Sequence, residues 1–161
     1  MNKVFSFALC IITLTISSCS ANRELSTNAH RITGNWQLNT IISEAIKSET
    51  VITLFNEADF RCFIGSSWNF TKDIASYSIS SSSDGRCNKI KRNHTWRLFI
   101  NNQKSMLIQL KKLGDNMQEA DPGSIGYLFE IITLNSKAMQ LRSEIMINGH
   151  TGVFLFNFIK L

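Results

Sequence analysis

Histidine, serine and acidic side chains could do chemistry in this sequence, but their spacing argues against catalysis. The three histidines, His30, His94 and His150, stand far apart, and none belongs to a paired metal-ligand motif such as His-Glu-x-x-His. No Gly-x-Ser-x-Gly motif presents a nucleophilic serine, and the serine run at 81–83 is typical of a polar turn. We therefore expect no enzyme and no cofactor.

One loop holds the acidic residues Asp115, Glu119 and Asp121, whose carboxylates could bind Ca²⁺. Their spacing lacks the central glycine of a calcium-binding loop. We expect a solvated loop and no metal site.

The first 18 residues have the layout of a secretory signal. Lys3 provides a positive start, Val4–Ile16 is an uncharged apolar run, and the small residues Ser17 and Ser18 precede Cys19. The run is too short to span a bilayer, which takes about 20 apolar residues. An ordinary cleaved signal peptide is the alternative, but small residues directly before a cysteine favour lipid attachment.

Residues 16–19, Ile-Ser-Ser-Cys, resemble the lipobox of bacterial lipoproteins. This resemblance implies a diacylglycerol on the sulfur of Cys19 and an acyl chain such as palmitate on its amine, which suffices for stable anchoring. It also implies a diderm host and the outer membrane as destination. No acidic cluster follows Cys19, which favours the periplasmic face. Residues 19–32 are polar, lack aromatics and are predicted to be a flexible tether.

Two cysteines, Cys62 and Cys87, remain outside the signal and the lipobox. In an oxidising compartment they most simply form a disulfide. The loop that they would close spans about 25 residues, for which chain entropy predicts roughly 3.5 kcal/mol of stabilisation. A two-cysteine metal site is the alternative, but neither cysteine has a histidine at ligand spacing.

The net charge of +5 is modest and scattered along the chain. Its densest basic patch, Lys89, Lys91 and Arg92, lacks the interleaved aromatics of single-strand binders. We expect no nucleic-acid partner, and interpret the patch as a solvated loop, with a patch that faces an anionic membrane or an acidic ligand as the alternative.

Residues 33–161 are predicted to form one mostly β domain, because apolar and polar residues alternate with a period of two. A closed barrel would leave no sheet edges, so we predict an eight-stranded antiparallel up-and-down barrel. The predicted strands are Thr33–Ile41, Ser66–Phe70, Ile74–Ser81, His94–Asn101, Met106–Lys111, Tyr127–Leu134, Met139–Ile147 and Val153–Ile159.

The segment Ser43–Arg61 departs from this alternation. Ile42, Ile46, Leu54 and Ala58 are spaced at multiples of four, which favours a short helix against one end of the barrel. The β-branched residues at 50–53 favour a strand instead, and this alternative stays open.

Several motifs along residues 33–161 resemble the lipocalin-like lipoproteins of Bacteroidetes. Gly34-Asn35-Trp36 resembles the Gly-x-Trp opening of the first lipocalin strand. The other motifs that carry the resemblance are 62–70 (Cys-Phe-Ile-Gly-Ser-Ser-Trp-Asn-Phe), Tyr77, Cys87, Trp96, Met139-x-Leu141 and Phe156-x-Phe158-x-Lys160. The resemblance implies the barrel fold and a location in the cell envelope. It implies no particular ligand.

A lipocalin-like barrel could hold one small apolar or amphipathic molecule, and a binding protein is the function that we expect. The alternative is a barrel filled by its own side chains, whose loops contact a periplasmic protein, as in inhibitor-like lipoproteins. We expect Gly34 and Trp36 to be structural. The residues that we expect to line a ligand cavity, with core packing as the alternative for each, are Trp68, Tyr77, Trp96, Phe154 and Phe156.

Overall fold

The computed structural model describes residues 23–43, 51–147 and 149–161. A helix, α1 (residues 23–32), comes first. The strands that follow are β1 (Gly34–Ser43), β2 (Thr53–Leu54), β3 (Ala58–Asp59), β4 (Ser67–Phe70), β5 (Ile74–Ile79), β6 (Ile90–Ile100), β7 (Met106–Lys112), β8 (Tyr127–Leu134), β9 (Ala138–Ile147) and β10 (His150–Lys160). A 3-10 helix, Phe60–Phe63, lies between β3 and β4.

Eight of these strands close into an antiparallel barrel in the order β1-β10-β9-β8-β7-β6-β5-β4. β1 pairs with β10 on one side and with β4 on the other, so the barrel has no free edge. Strands that follow one another in the chain are neighbours, apart from the small sheet β2–β3 inserted between β1 and β4. The predicted fold class, an up-and-down barrel of eight strands, is confirmed.

Strand β10 shows why the sequence forms a barrel. Phe154, Phe156 and Phe158 point inward and are at most 3% exposed, whereas Val153 and Ile159 are 36% and 41% exposed. Successive side chains of a strand point to opposite faces. The period of two in the sequence therefore places one aromatic row in the core.

The end of the barrel at which β1 begins is closed. Trp36 is fully buried there, and its indole Nε1 donates a 2.7 Å hydrogen bond to the carbonyl oxygen of Ile32. Gly34 has a φ of +126°, and a Cβ at this position would lie 3.1 Å from Cε of Lys160. Glycine is therefore the residue that lets Lys160 approach the chain so closely.

The prediction of a flexible tether over residues 19–32 is wrong for its described part. Residues 23–32 form α1, and Ile32 at its end is fully buried in the core. Leu25, Ala29 and Ile32 follow one another at spacings of four and three, which puts them on one face of a helix. Docking against the barrel stabilises a helix that the polar composition alone did not suggest. No helix in the described ranges is long and apolar enough to cross a membrane.

The predicted signal peptide, residues 1–18, and Cys19 lie outside the described residues, as do residues 44–50 of the inserted segment. The described rest of that segment contains the β2–β3 hairpin followed by the 3-10 helix. A short helix does follow the first strand, as the 3-10 helix Phe60–Phe63. The helix is not where the spacing placed it, because Leu54 and Ala58 lie in β2 and β3, so the alternative of a strand holds there.

The predicted disulfide between Cys62 and Cys87 is confirmed, with Cα atoms 5.5 Å apart. It ties the 3-10 helix to the loop between β5 and β6.

Candidate ligand-binding cavity

The barrel wall opens between β8 and β9. Their ladder begins at the pair Glu130–Arg142 and runs toward Leu134–Met139. Residues 127–129 of β8 pair with β7 alone. The Oγ of Ser143 donates a 2.9 Å hydrogen bond to the carbonyl oxygen of Leu128, which bridges the two strands where the ladder is missing.

A cavity of about 620 Å³ lies at this opening. Its lining includes consecutive residues of β8 and β9. Successive side chains of a strand point to opposite faces, so the lining comes from both faces of the wall. The inward-facing part is apolar and aromatic, and the outward-facing part carries Glu130 and Arg142, whose side chains form an ion pair with N and O 3.5 Å apart. The apolar and aromatic lining residues are Leu54, Phe55, Leu107, Tyr127, Leu128, Phe129, Ile145, Met146 and Phe156.

Phe55, at the turn of the β2–β3 hairpin, projects into the barrel and forms the inner wall of the cavity. Its ring centroid lies 4.6 Å from that of Tyr127, 6.0 Å from that of Phe129 and 5.6 Å from that of Tyr77. Only 7% of Phe55 is exposed. A side chain from a loop therefore occupies space that the strands leave in the barrel.

The structure places the five predicted cavity residues differently from one another. Phe156 lines the cavity, and its ring lies 5.3 Å from that of Phe129. Trp68, Tyr77 and Phe154 are at most 4% exposed and lie outside this lining. Trp68 packs against Tyr77, with ring centroids 5.0 Å apart.

Trp96 lies at the closed end. Its indole Nε1 donates a 2.8 Å hydrogen bond to the carbonyl oxygen of Thr71, and its ring packs edge-on against Phe70. A second, shallower hollow of about 410 Å³ between α1 and β6 includes Trp96, Leu25 and Ala29. Of the five residues, Phe156 alone lines the 620 Å³ cavity.

Sequence reasoning missed Phe55, Tyr127 and Phe129 as lining residues. Tyr127 and Phe129 share one face of a predicted strand, so alternation could have found them. Phe55 carries no such signal, because it lies in a turn between two strands of two residues each.

His94 and Tyr77 are two further residues that the sequence did not single out together. Both are buried, at 1% exposure each, and their rings stack with centroids 5.5 Å apart. Burial lowers the pKa of His94 to about 4, assisted by the nearby charge of Lys112. The same cause, burial, raises the pKa of Tyr77. His94 is therefore neutral at pH 7.

The residues of the basic patch, which was expected to be a solvated loop, lie in two places, with Lys89 in the loop before β6. Lys91 and Arg92 belong to β6. The guanidinium of Arg92 binds the carboxylate of Glu57 in the hairpin turn through two hydrogen bonds of 2.8 Å. The expectation of a solvated loop is wrong for Arg92, since its partner comes from a segment 35 residues earlier in the chain.

In the acidic loop, Glu119 forms an ion pair with Lys111, with N and O 3.0 Å apart. Within the described ranges, no three histidine, cysteine, aspartate or glutamate residues are grouped so that they could hold a metal ion.

No protein-family model matches the chain, and no curated protein matches it. Among solved structures, the chain is similar to bovine odorant-binding protein in complex with its natural ligand, at 13% identity over 81% of this chain and 72% of that one, with a TM-score of 0.44. It is similar to the same protein bound to a selenium-containing odorant, at 13% identity over 83% and 73%, with a TM-score of 0.45. Similarity at this level concerns the shape of the barrel and says nothing of the ligand of this chain.

Proposed function

We propose that this protein binds one small apolar or amphipathic molecule in its barrel. The observation that carries the proposal is the cavity of about 620 Å³ that is lined by residues from both faces of β8 and β9. Its volume falls within the roughly 300–1,000 Å³ of ligand sites, and an apolar lining with a few polar groups is typical of such sites. Met146 and Leu128, which are 70% and 37% exposed, form an apolar rim at the outer side.

We further propose that the protein is a lipoprotein of the lipocalin-like kind, attached through Cys19 to the periplasmic face of the outer membrane. The lipobox sequence before Cys19 supports this part of the proposal. An anchor at a membrane would keep the barrel beside a source of apolar molecules.

The test is binding of a neutral apolar fluorophore, N-phenyl-1-naphthylamine, to the mature chain. Ile145 faces the cavity, so Ile145→Trp should fill it and weaken binding at least about tenfold. The matched control is Val153→Trp, on the outward face of β10, which should bind like the wild type. Urea midpoints of both variants separate lost binding from lost folding. Wild-type protein that binds no fluorophore, or that binds it equally well with Trp at 145, would contradict the proposal.

A second candidate function is interaction with another protein through the loops of a filled barrel. The observation that favours it is the dense aromatic packing beside the cavity, where Trp68, Phe154 and Phe158 are at most 4% exposed. Native mass spectrometry of the protein purified from its own host distinguishes the two. A co-purifying small molecule supports the first function, and a protein partner without one supports the second.

A further inference from the structure

The turn of the β2–β3 hairpin is held in an unfavourable backbone conformation. Phe55 and Asn56 both have a φ of +56°. This left-handed region is uncommon for residues other than glycine and is a genuine outlier for a bulky side chain such as Phe. Such strain persists where surrounding contacts impose it, and it occurs at sites that bind or switch.

Two contacts impose it here. The first is the ring of Phe55, which lies among aromatic side chains inside the barrel, the nearest being Tyr127. The second is the carboxylate of Glu57, whose side chain is 7% exposed. Arg92 donates to both carboxylate oxygens, and the ammonium of Lys112 also binds Glu57. Hydrogen bonding by Arg92 lowers the pKa of Glu57, so the carboxylate is charged at neutral pH.

The groups that bind Glu57 are themselves a carboxylate site built on the barrel. Arg92 belongs to β6 and Lys112 to the adjacent β7. A guanidinium fork matches the planar geometry of a carboxylate, and it binds one in bidentate fashion. Two cations face one carboxylate here, and Tyr77 and Asp115 also act electrostatically on Arg92.

Two buried polar atoms beside this site have no hydrogen-bond partner within the described part of the chain. They are the hydroxyl of Tyr77 and Nδ1 of His94. Tyr77 stands opposite Arg92 in the strand ladder, and His94 stands opposite Lys112. Buried polar groups are nearly always hydrogen-bonded. The inner surface next to the carboxylate site therefore offers two polar atoms to which the turn makes no hydrogen bond.

We propose that the turn Phe55–Glu57 occupies the site of the natural ligand, and that this ligand is an amphipathic monocarboxylate with an apolar chain. Phe55 stands where the chain would lie, and the carboxylate of Glu57 stands where the ligand carboxylate would bind Arg92 and Lys112. Phe55 and Asn56 line the 620 Å³ cavity, so a ligand that displaces the turn enlarges the same cavity. The inference rests on the proposed function and names the ligand class for that site.

The experiment compares 11-(dansylamino)undecanoic acid with its uncharged methyl ester. Glu57→Gln removes the competing charge, so it should bind the acid at least about tenfold more tightly than the wild type does, while affinity for the ester changes less than twofold. Phe55→Ala vacates the chain site and should bind both probes more tightly. Lys112→Met should weaken binding of the acid at least about fivefold and leave the ester unaffected.

The matched control is Glu130→Gln. Like Glu57, Glu130 is paired with an arginine, Arg142, and it lies in the lining of the cavity. If Glu130→Gln raises the preference for the acid and Glu57→Gln does not, the carboxylate site is elsewhere and the inference is wrong. Urea midpoints confirm that each variant is folded.

The outcomes separate the inference from the proposed function. Equal binding of acid and ester by wild type, Glu57→Gln and Lys112→Met would overturn the inference and leave apolar binding intact. Binding of the acid that is weak in the wild type and at least about tenfold tighter after Glu57→Gln would support it, since the turn then competes with the ligand. Failure of every variant to bind either probe would overturn both.

Discussion

The ammonium group of Lys160 lies 4.9 Å from the centre of the Trp36 indole ring. Its Nζ also donates hydrogen bonds to the carbonyl oxygens of Arg31 and Thr33, at 2.7 and 2.9 Å. A cation over an indole face is attracted by the ring quadrupole. The last strand thus joins the first strand to the end of α1, which closes this end of the barrel.

Trp36→Ala should strongly destabilise the protein, because it removes a fully buried indole and its hydrogen bond to Ile32. The expected loss is about 3–5 kcal/mol in the free energy of unfolding. Urea unfolding followed by circular dichroism measures it. The control Ile159→Ala, on the outward face of β10, should lose no more than about 1 kcal/mol. A Trp36→Ala midpoint equal to that of the wild type would show that the indole does not hold this end closed.

Ile32→Ala distinguishes a docked helix from a tether. Ile32 is fully buried at the end of α1, so its truncation should cost about 2–5 kcal/mol. Ser26→Ala, at an exposed position of the same helix, should stay within about 0.5 kcal/mol of the wild type. Equal stability of the two variants in thermal and urea unfolding would contradict the docking of α1.

His94 should make stability depend on pH. Its pKa falls from 6.5 to about 4 on folding, because burial disfavours the charged ring. The unfolded chain then binds a proton between these two values and the folded protein does not. The contribution of His94 to the free energy of unfolding is therefore fully present above pH 6.5. It declines as pH falls toward 4, by on the order of 3 kcal/mol.

The measurement is urea unfolding of the wild type, His94→Phe and His94→Gln at a series of pH values from 7 to 4. Neither variant titrates at this position, so both should lack the contribution of His94 whatever their packing. Parallel stability curves for all three proteins would show that His94 titrates alike in the folded and unfolded chains.

Removal of the disulfide should destabilise the protein by roughly 3.5 kcal/mol, as chain entropy predicts for a loop of about 25 residues. The change is Cys62→Ala with Cys87→Ala, compared by urea unfolding with the wild type under non-reducing conditions. Non-reducing peptide mapping is the companion measurement. Two freely alkylated thiols in protein from its own host would contradict the link there.

Cys19→Ala should release the protein from the membrane, since acyl chains hold it there under the proposed function. Metabolic labelling with an alkyne fatty acid, followed by fractionation, measures both attachment and location. Wild-type protein that takes up no label would refute the lipid anchor while leaving the cavity unaffected.

The sequence by itself determined the barrel. Alternation is a local property, and a period of two decides which side chains share a face before any strand finds its partner. It therefore predicted the strands and placed Phe154 and Phe156 on one face of the last strand. The need to leave no sheet edge predicted the up-and-down order. The disulfide was predictable as well, because the two cysteines outside the predicted signal and the proposed lipobox left one simple pairing.

The tertiary structure alone decided where the cavity lies. The β8–β9 ladder stops at Glu130–Arg142, and no local pattern marks that point. Phe55 and Glu57 lie in a short turn, and their partners, Tyr127 and Arg92, are distant in sequence. Such contacts form only when the closed barrel brings the partners together.

The helix α1 depended on the same kind of contact. A segment of ten residues is too short to be a stable helix in water by itself, because nucleation is unfavourable. Burial of Ile32, and the hydrogen bond that its carbonyl oxygen accepts from Trp36, supply the missing stabilisation. The composition of this segment indicated a tether because polar residues from one face of the helix dominate it. Composition carries no information about the barrel against which the other face docks.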